Sequence, residues 1–134
     1  MNLSNQTILI TGGGSGIGRA LAEAFHASGS RVIIAGRRQA ALDEVTRAHP
    51  GMASLTLDIE APEAIAAFAK TLLAQHPTLN AVIHNAGIMR AETLTRGSDY
   101  VADAEATVTA NILGPIRLNA LLLPHLLMQP TATI

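Results

Sequence analysis

A glycine-rich turn near the N-terminus constrains the fold more than any other feature of this chain. It follows a short apolar run, Thr7-Ile8-Leu9-Ile10-Thr11, whose β-branched residues predict a buried strand. The turn itself reads Gly12-Gly13-Gly14-Ser15-Gly16-Ile17-Gly18. A helix is predicted to begin inside it, with apolar residues at helical spacing: Ile17, Ala20, Leu21, Ala24 and Phe25. A strand, a glycine turn and a helix in this order are typical of the start of a βαβ unit.

The composition of the turn predicts an anion site. Glycine tolerates positive φ and carries no side chain, so the backbone N–H groups and the positive end of the helix dipole are open to a diphosphate. Gly18 has a second expected task, which is to let the helix pack close to the strand. The alternative is a plain turn without a ligand. The residues expected to bind the cofactor here are Gly12, Gly14, Ser15, Gly16, Ile17 and Gly18.

The rest of the chain alternates between strand and helix patterns. Strands are predicted at residues 31–35, 53–57 and 79–84, and helices at residues 39–48 and from Pro62 onward. A long helix is predicted from about Asp99, kinked at Pro115 and ended near Pro124, and residues 131–134 resemble the opening of a fifth strand. This alternation predicts an α/β fold, a Rossmann-type doubly wound parallel sheet that is incomplete at its C-terminal side. We expect residues 1–134 to form a single, truncated dinucleotide-binding domain.

Composition excludes several other classes of protein. With 49% apolar and 14% charged residues the chain is not disordered. Its net charge is −1 and only Arg37 and Arg38 stand together as cations, so no nucleic-acid partner is expected. It has no cysteine, and its five histidines lack ligand spacing, so no metal site is expected. We expect no signal peptide, no membrane span in the interrupted apolar stretch 112–128, and a cytoplasmic location.

The motifs together resemble one family. Thr11, Gly12, Gly16 and Gly18 match T-G-x-x-x-G-x-G, a fingerprint similar to that of short-chain dehydrogenases/reductases. Three further positions agree with that family in order and spacing: Asp58 after strand three, the segment His84-Asn85-Ala86-Gly87 with His in place of the first Asn, and Asn111 in the long helix. The resemblance implies hydride transfer between a nicotinamide and a small-molecule carbonyl or alcohol substrate. It also implies that Asp58 contacts the adenine, that Asn85, Ala86 and Gly87 lie beside the ribose, and that Asn111 supports a proton relay.

Residue types after strand two indicate which nicotinamide cofactor is preferred. NAD sites of this class usually place Asp or Glu there, but this chain has Gly36, followed by Arg37 and Arg38. A guanidinium can pair with a 2′-phosphate through two hydrogen bonds, whereas a carboxylate would repel it. We therefore expect NADP(H) rather than NAD(H), with Arg37 and Arg38 binding the phosphate. The alternative is a solvated arginine pair at a helix start.

The family's catalytic Tyr-x-x-x-Lys pair does not occur in these residues. The chain has one tyrosine, Tyr100, and one lysine, Lys70, and Ala104 stands four residues beyond the tyrosine. We expect an N-terminal part of a longer enzyme that is inactive, and marginally stable or self-associating, by itself. The alternative function is a non-catalytic dinucleotide-binding module that acts as a sensor or interaction protein.

Simpler structural roles compete with several of these assignments. Asp58 could cap a turn, Asn85 could brace the sheet through backbone hydrogen bonds, and His84 fits a hydrogen-bonded structural residue better than a base. One face of the long helix is apolar and has two alternative partners, the same helix of a second subunit or the chain's own sheet. That face consists of Val101, Ala104, Val108 and Ile112.

Overall fold

Four parallel strands and five α-helices follow one another in the alternating order expected from the sequence. The computed structural model describes residues 4–91, 95 and 100–134. Its strands are β1 (Thr7–Thr11), β2 (Arg31–Gly36), β3 (Ala53–Thr56) and β4 (Ala81–Ile83). Its helices are α1 (Gly16–Ala27), α2 (Gln39–Ala48), α3 (Pro62–Gln75), α4 (Tyr100–Val108) and α5 (Gly114–Leu126), with a π-helical segment, Thr109–Leu113, between the last two. Strands β3 and β4 are shorter than the predicted ranges 53–57 and 79–84.

The sheet has the order β3-β2-β1-β4, which is that of a Rossmann half. All strand pairs are parallel, and the register places Leu9 beside Ile33 on one side and Val82 on the other. The chain leaves β3 and crosses to the opposite edge before it enters β4. The order of strands therefore reverses between β1 and β4, and a crevice opens there at the carboxyl ends of the strands.

Alternate residues of each strand feed two separate cores, as a doubly wound sheet requires. Leu9 and Ile33 point into the core beneath α3 and α5, whereas Ile8, Val32 and Ile34 point into the core beneath α1 and α2. The core beneath α3 and α5 is completed by fully buried aliphatic side chains of those helices: Ile65, Leu72, Leu118 and Leu122. Aliphatic packing on both faces thus holds the strand ends at fixed positions.

The long helix differs from its prediction at both prolines. The regular hydrogen-bonding pattern is interrupted at Thr109–Leu113, directly before Gly114 and Pro115, and Pro115 lacks the N–H that would donate to the preceding turn of the continuous helix. The expectation that Pro124 ends the helix is wrong, because α5 continues to Leu126. Burial of Leu122 and Leu126 on either side of Pro124 offsets the lost backbone hydrogen bond. The predicted start at Asp99 lies outside the described residues.

Solvent exposure decides against one of the two alternatives for the apolar face of this helix, namely packing against the chain's own sheet. Val101, Val108 and Ile112 are 42%, 46% and 52% exposed, so they do not pack against the chain's own sheet. The buried side of the helix is formed by Ala110, Gly114, Leu118, Leu122 and Leu126. Val101, Ala104, Val108 and Ile112 are called the outer face below.

Residues Tyr100–Leu126 also form a helical stretch of 27 residues, and an 18-residue window within it has a mean hydropathy of 1.3, so by length and composition it could cross a membrane. Length and composition are weak criteria, because core helices meet them as well. Here one side of the stretch packs into the core against α3.

The last residues of the chain begin to pair with β4. Thr133 forms a parallel bridge with Ala81, and its carbonyl accepts a hydrogen bond from the N–H of Val82 at 3.0 Å. The fifth strand expected from residues 131–134 is therefore present as its first bridge, on the side of β4 away from β1.

Candidate functional site

A cleft of about 290 Å³ lies at the carboxyl ends of the strands, where the strand order reverses. Its walls come from the glycine turn, the end of β2, the loop after β3 and the loop after β4. Residues from all four segments line it: Gly12, Ser15, Ala35, Gly36, Arg37, Arg38, Leu57, Ile59, Glu60, Asn85, Ala86, Gly87 and Ile88. Seven residues expected from the sequence to bind the cofactor are thus brought to one cleft, namely Gly12, Ser15, Arg37, Arg38, Asn85, Ala86 and Gly87.

The turn has the open backbone that an anion site requires. Gly12 and Gly16 have φ values of +70° and +55°, which side-chain-bearing residues rarely adopt. No atom lies within 4 Å of a Cβ placed on Gly16, so the turn is open on that side. Ile17, which follows it, is 75% exposed. Gly14 lies on the α2 side of the turn, in a smaller cleft shared with Ser15, Arg37 and Arg38.

Gly18 lies beneath the turn and not in the cleft. A Cβ at this position would overlap the Gly12 carbonyl oxygen and Asn85 Nδ2. Any side chain would therefore push α1 away from the turn. Its contribution to the site is to allow this close approach.

The Thr11 side chain joins the glycine turn to the loop after β4. Its hydroxyl accepts hydrogen bonds from the backbone N–H groups of Asn85 and Ala86, both at 3.0 Å, and it is 1% exposed. The sequence places Thr11 at the start of the T-G-x-x-x-G-x-G fingerprint but indicates no role for its side chain. The signal was available, because a hydroxyl that ends a buried strand needs a polar partner.

Asn85 braces the same junction from the other side. Its Nδ2 group donates to the carbonyls of Thr11 at 3.1 Å and Gly12 at 3.3 Å. The bracing role considered from the sequence therefore exists, and Asn85 also lines the cleft. Its two donated bonds hold the first glycine of the turn against the loop.

Asn111 forms hydrogen bonds with the backbone of Ile88, which lies further along the same loop. The Asn111 Oδ1 atom accepts the Ile88 N–H and its Nδ2 donates to the Ile88 carbonyl, both at 2.8 Å. Asn111 lies in the π-helical segment, and its side-chain amide spans the gap to the loop. A Cβ on Gly87 would lie 3.0 Å from Asn111 Oδ1, so the glycine keeps this approach open. Asn111 thus positions the cleft wall through Ile88.

The two arginines after β2 have different partners. Arg37 Nη1 donates to Glu60 Oε2 at 3.0 Å across the cleft, and Arg38 Nη2 donates to Ser15 Oγ at 3.1 Å. The Arg37 side chain is 58% exposed and that of Glu60 is 24% exposed. Glu60 was not identified from the sequence, because nothing in its local pattern marks it as facing Arg37.

Asp58 has the simpler role that its sequence position suggested. Its Oδ1 accepts the backbone N–H of Glu60 at 3.0 Å, which fixes the turn between β3 and α3. The residue is exposed and lines a more open cleft next to Arg37, outside the cleft between the glycine turn and the loop after β4. Its adenine contact remains a prediction.

Only one of the two ring nitrogens of His84 has a hydrogen-bond partner among the described residues. Its Nε2 atom lies 2.7 Å from Asn119 Oδ1, but its buried Nδ1 has no hydrogen-bond partner among the described residues. The first contact agrees with a structural histidine. His84 does not line the cleft.

The cleft suits a dinucleotide in shape and in chemistry. Gly12 lines the cleft and also packs tightly against the loop after β4, because a Cβ there would lie 2.8 Å from Asn85 Nδ2 and 3.0 Å from the Ala86 backbone. Amide donors at the start of α1 and two guanidinium groups beside it provide the partners that phosphate groups need. The described residues contain no group of three or more His, Asp or Glu side chains that could hold a metal ion.

Comparisons with known proteins agree with this architecture. A family model described as short chain dehydrogenase matches residues 6–134. The chain is 34% identical over 134 residues to the oxidoreductase DltE of Bacillus subtilis, covering 100% of this chain and 53% of DltE. A short-chain dehydrogenase from Streptomyces avermitilis superimposes with a TM-score of 0.86 at 31% identity, over 96% of this chain and 47% of that one. A short chain dehydrogenase of Shigella flexneri, solved in complex with NADP, gives 0.84 at 26% identity, over 97% and 57%. The chain therefore spans about half the length of the curated relatives it matches.

Proposed function

Because this chain belongs to the short-chain dehydrogenase family, we propose that the protein it represents is an NADP(H)-dependent oxidoreductase. The reaction would move hydride between the nicotinamide and a small-molecule carbonyl or alcohol. One observation supports the cofactor preference most directly: Gly36 puts no carboxylate at the end of β2, while Arg37 and Arg38 both line the cleft beside it. The NADP-bound relative from Shigella flexneri is consistent with this preference.

The chain's own residues would bind and orient the cofactor. Backbone amides of the turn from Gly12 to Gly18 would hold the diphosphate at the start of α1, where the helix dipole favours negative charge. Arg37 and Arg38 would hold the 2′-phosphate, and the Asn85–Gly87 loop would border the nicotinamide ribose. Asn111 would keep that border in place through Ile88. When bound, the nicotinamide supplies or accepts the hydride.

Proton transfer needs a residue that these 134 positions do not provide. They contain no Tyr-x-x-x-Lys sequence. In the proposed enzyme the general acid/base lies in the part of the protein that corresponds to the other half of its relatives.

The test of the cofactor proposal is a titration of the full-length protein with NADPH and NADH. Arg37→Asp should weaken NADPH binding by about tenfold or more and leave NADH binding within about threefold, because a cation facing the phosphate becomes an anion. Arg31→Asp is the matched control, since Arg31 is exposed at the other end of β2, outside the cleft. Equal NADPH affinity in the wild type and the Arg37 variant would refute the assignment.

A second copy of the protein is the partner we propose for the outer face. Members of this family commonly oligomerise. Val101, Val108 and Ile112 of this apolar face are exposed. A broad groove runs along part of it, lined by Tyr100, Val101, Ala104, Glu105, Val108, Thr109 and Leu113. Val108→Asp should shift the full-length protein to a smaller species in sedimentation, whereas Met128→Asp, at a more exposed apolar residue beyond α5, should not. An unchanged sedimentation coefficient for the Val108 variant would exclude this contact.

A further inference from the structure

The carboxylate of Glu60 faces the place where the 2′-phosphate is proposed to bind. Glu60 lines the cleft from the loop after β3, opposite the arginines that follow β2, and its carboxylate is hydrogen-bonded to Arg37 at 3.0 Å. A site made only to attract a dianion would not place an acid there, because a carboxylate repels phosphate. This acid therefore needs an explanation of its own.

Glu60 is held in its position by the local backbone. The N–H of Glu60 donates to Asp58 Oδ1 at 3.0 Å, and the N–H of Ala61 approaches the Asp58 carbonyl at 3.4 Å before α3 begins. Its side chain is only 24% exposed. The carboxylate thus stays at the cleft wall while the more exposed Arg37 side chain, at 58%, reaches toward it.

Pairing with Glu60 changes what Arg37 offers to a ligand. One N–H of its guanidinium is already used, and the positive charge is largely balanced by a carboxylate in direct contact. A phosphate bound to the remaining edge of the guanidinium would lie within about 4–6 Å of that carboxylate, close enough for repulsion to matter. A ribose 2′-hydroxyl at the same place carries no charge and would not be repelled.

We propose that Glu60 is a specificity-determining residue, whose ion pair with Arg37 reduces the preference for 2′-phosphorylated cofactors and keeps the site usable by NAD(H). This inference rests on the proposed function, because it concerns how strongly the same cleft discriminates between the two cofactors. The residue that weakens the preference for the 2′-phosphate thus lies in the loop after β3. That loop forms the wall opposite the end of β2, where an NAD-selecting acid usually stands.

The test uses ligands that occupy only the adenosine half of the site. Calorimetric titrations of the full-length protein with 2′,5′-ADP and with 5′-AMP isolate the effect of the 2′-phosphate from that of the nicotinamide. Glu60→Gln should tighten binding of 2′,5′-ADP by about three- to tenfold, from removal of one charge a few ångströms from a dianion in screened solvent. Binding of 5′-AMP should change less than twofold. The gain should shrink as salt rises from about 50 to 500 mM, because the effect is electrostatic.

Glu63→Gln is the matched control, since it removes the same charge three residues later from an exposed position that does not line the cleft. It should alter neither affinity. Glu60→Ser is a second variant should Glu60→Gln fold poorly, and thermal melting of each variant is recorded alongside. An unchanged or weaker affinity of both Glu60 variants for 2′,5′-ADP would overturn the inference, as would an equal gain for 5′-AMP. The proposed function has a separate readout, the preference of the wild-type protein for 2′,5′-ADP over 5′-AMP, so the two can fail independently.

Discussion

The Thr11 hydroxyl links two cleft-forming loops, so its removal should lower the free energy of unfolding more than the loss of a single oxygen atom usually does. In Thr11→Val the side chain keeps its shape, but the backbone N–H groups of Asn85 and Ala86 lose their acceptor. A buried donor left without a partner costs about 1–3 kcal/mol, and the added methyl group recovers less than about 1 kcal/mol. The loop is only partly buried, so water will satisfy some of the loss. We expect the free energy of unfolding to fall by about 2–4 kcal/mol.

Two control variants separate the hydroxyl from the rest of the side chain. Thr11→Ser keeps the oxygen and should retain most of the stability. Thr7→Val removes a buried hydroxyl from the other end of β1, where its partner is the Thr78 hydroxyl at 3.0 Å. Thr78 is exposed and can turn to water, so this change should cost less than about 1 kcal/mol.

Urea unfolding of the full-length protein, followed by circular dichroism, measures these differences through the midpoint at a constant slope. Because Asn85 and Ala86 line the cleft, Thr11→Val should also weaken NADPH binding measured at low temperature, where the variant is still folded. The proposed role of the hydroxyl is refuted if the free energy of unfolding of Thr11→Val lies within about 0.5 kcal/mol of the wild-type value. It is also refuted if Thr11→Val loses no more stability than Thr7→Val.

Three further outcomes follow from the same structure. Gly18→Ala should lower stability by about 1–3 kcal/mol and abolish tight dinucleotide binding, since its Cβ would overlap the Gly12 carbonyl; urea unfolding and an NADPH titration measure both. Leu118→Ala should cost about 2–5 kcal/mol in the same unfolding assay, because the side chain is 0% exposed in the core beneath α5. The hydrogen bond from Arg19 lowers the pKa of Glu23 below its usual value of 4.5, so the stability this group contributes is present above that pH and is lost as pH falls through the lower, folded-state pKa. Glu23→Gln should therefore melt below the wild type at pH 7, and the gap should narrow as the pH falls through the folded-state pKa of Glu23.

Local sequence was sufficient for most of the fold because each predicted element satisfied several local rules at once. The run from Thr7 to Thr11 is apolar and β-branched, stops at glycine, and forms β1 with those bounds. Residues 39–48 combine helical spacing with a closing Pro50-Gly51, and α2 has the same limits. Agreement between propensity, periodicity and turn residues left few other arrangements for these segments.

The long helix shows where such reasoning stops. Its π-helical segment contains Asn111, whose side-chain amide bonds to the backbone of Ile88, 23 residues away, and no local pattern carries the information for that contact. Its apolar outer face is equally uninformative in the sequence, since burial against the sheet and exposure toward a partner require the same residue types. Only the position of Leu118 and Leu122 against the core shows which side faces inward.

The arginine pair shows the same limit for function. The sequence predicts that Arg37, and Arg38 beside it, bind the 2′-phosphate, but folding gives them unequal partners. Arg37 faces a carboxylate, whereas Arg38 bonds to the neutral hydroxyl of Ser15. Arg38 therefore keeps its full charge beside the glycine turn, and we expect it to contribute at least as much to phosphate binding as Arg37 does. In such a site the preference between NADP(H) and NAD(H) depends on all the charged side chains that face the 2′-position, and these follow more than one strand. In the proposed enzyme the residue types after β2 would set the direction of this preference, and Glu60 on the opposite wall would set its size.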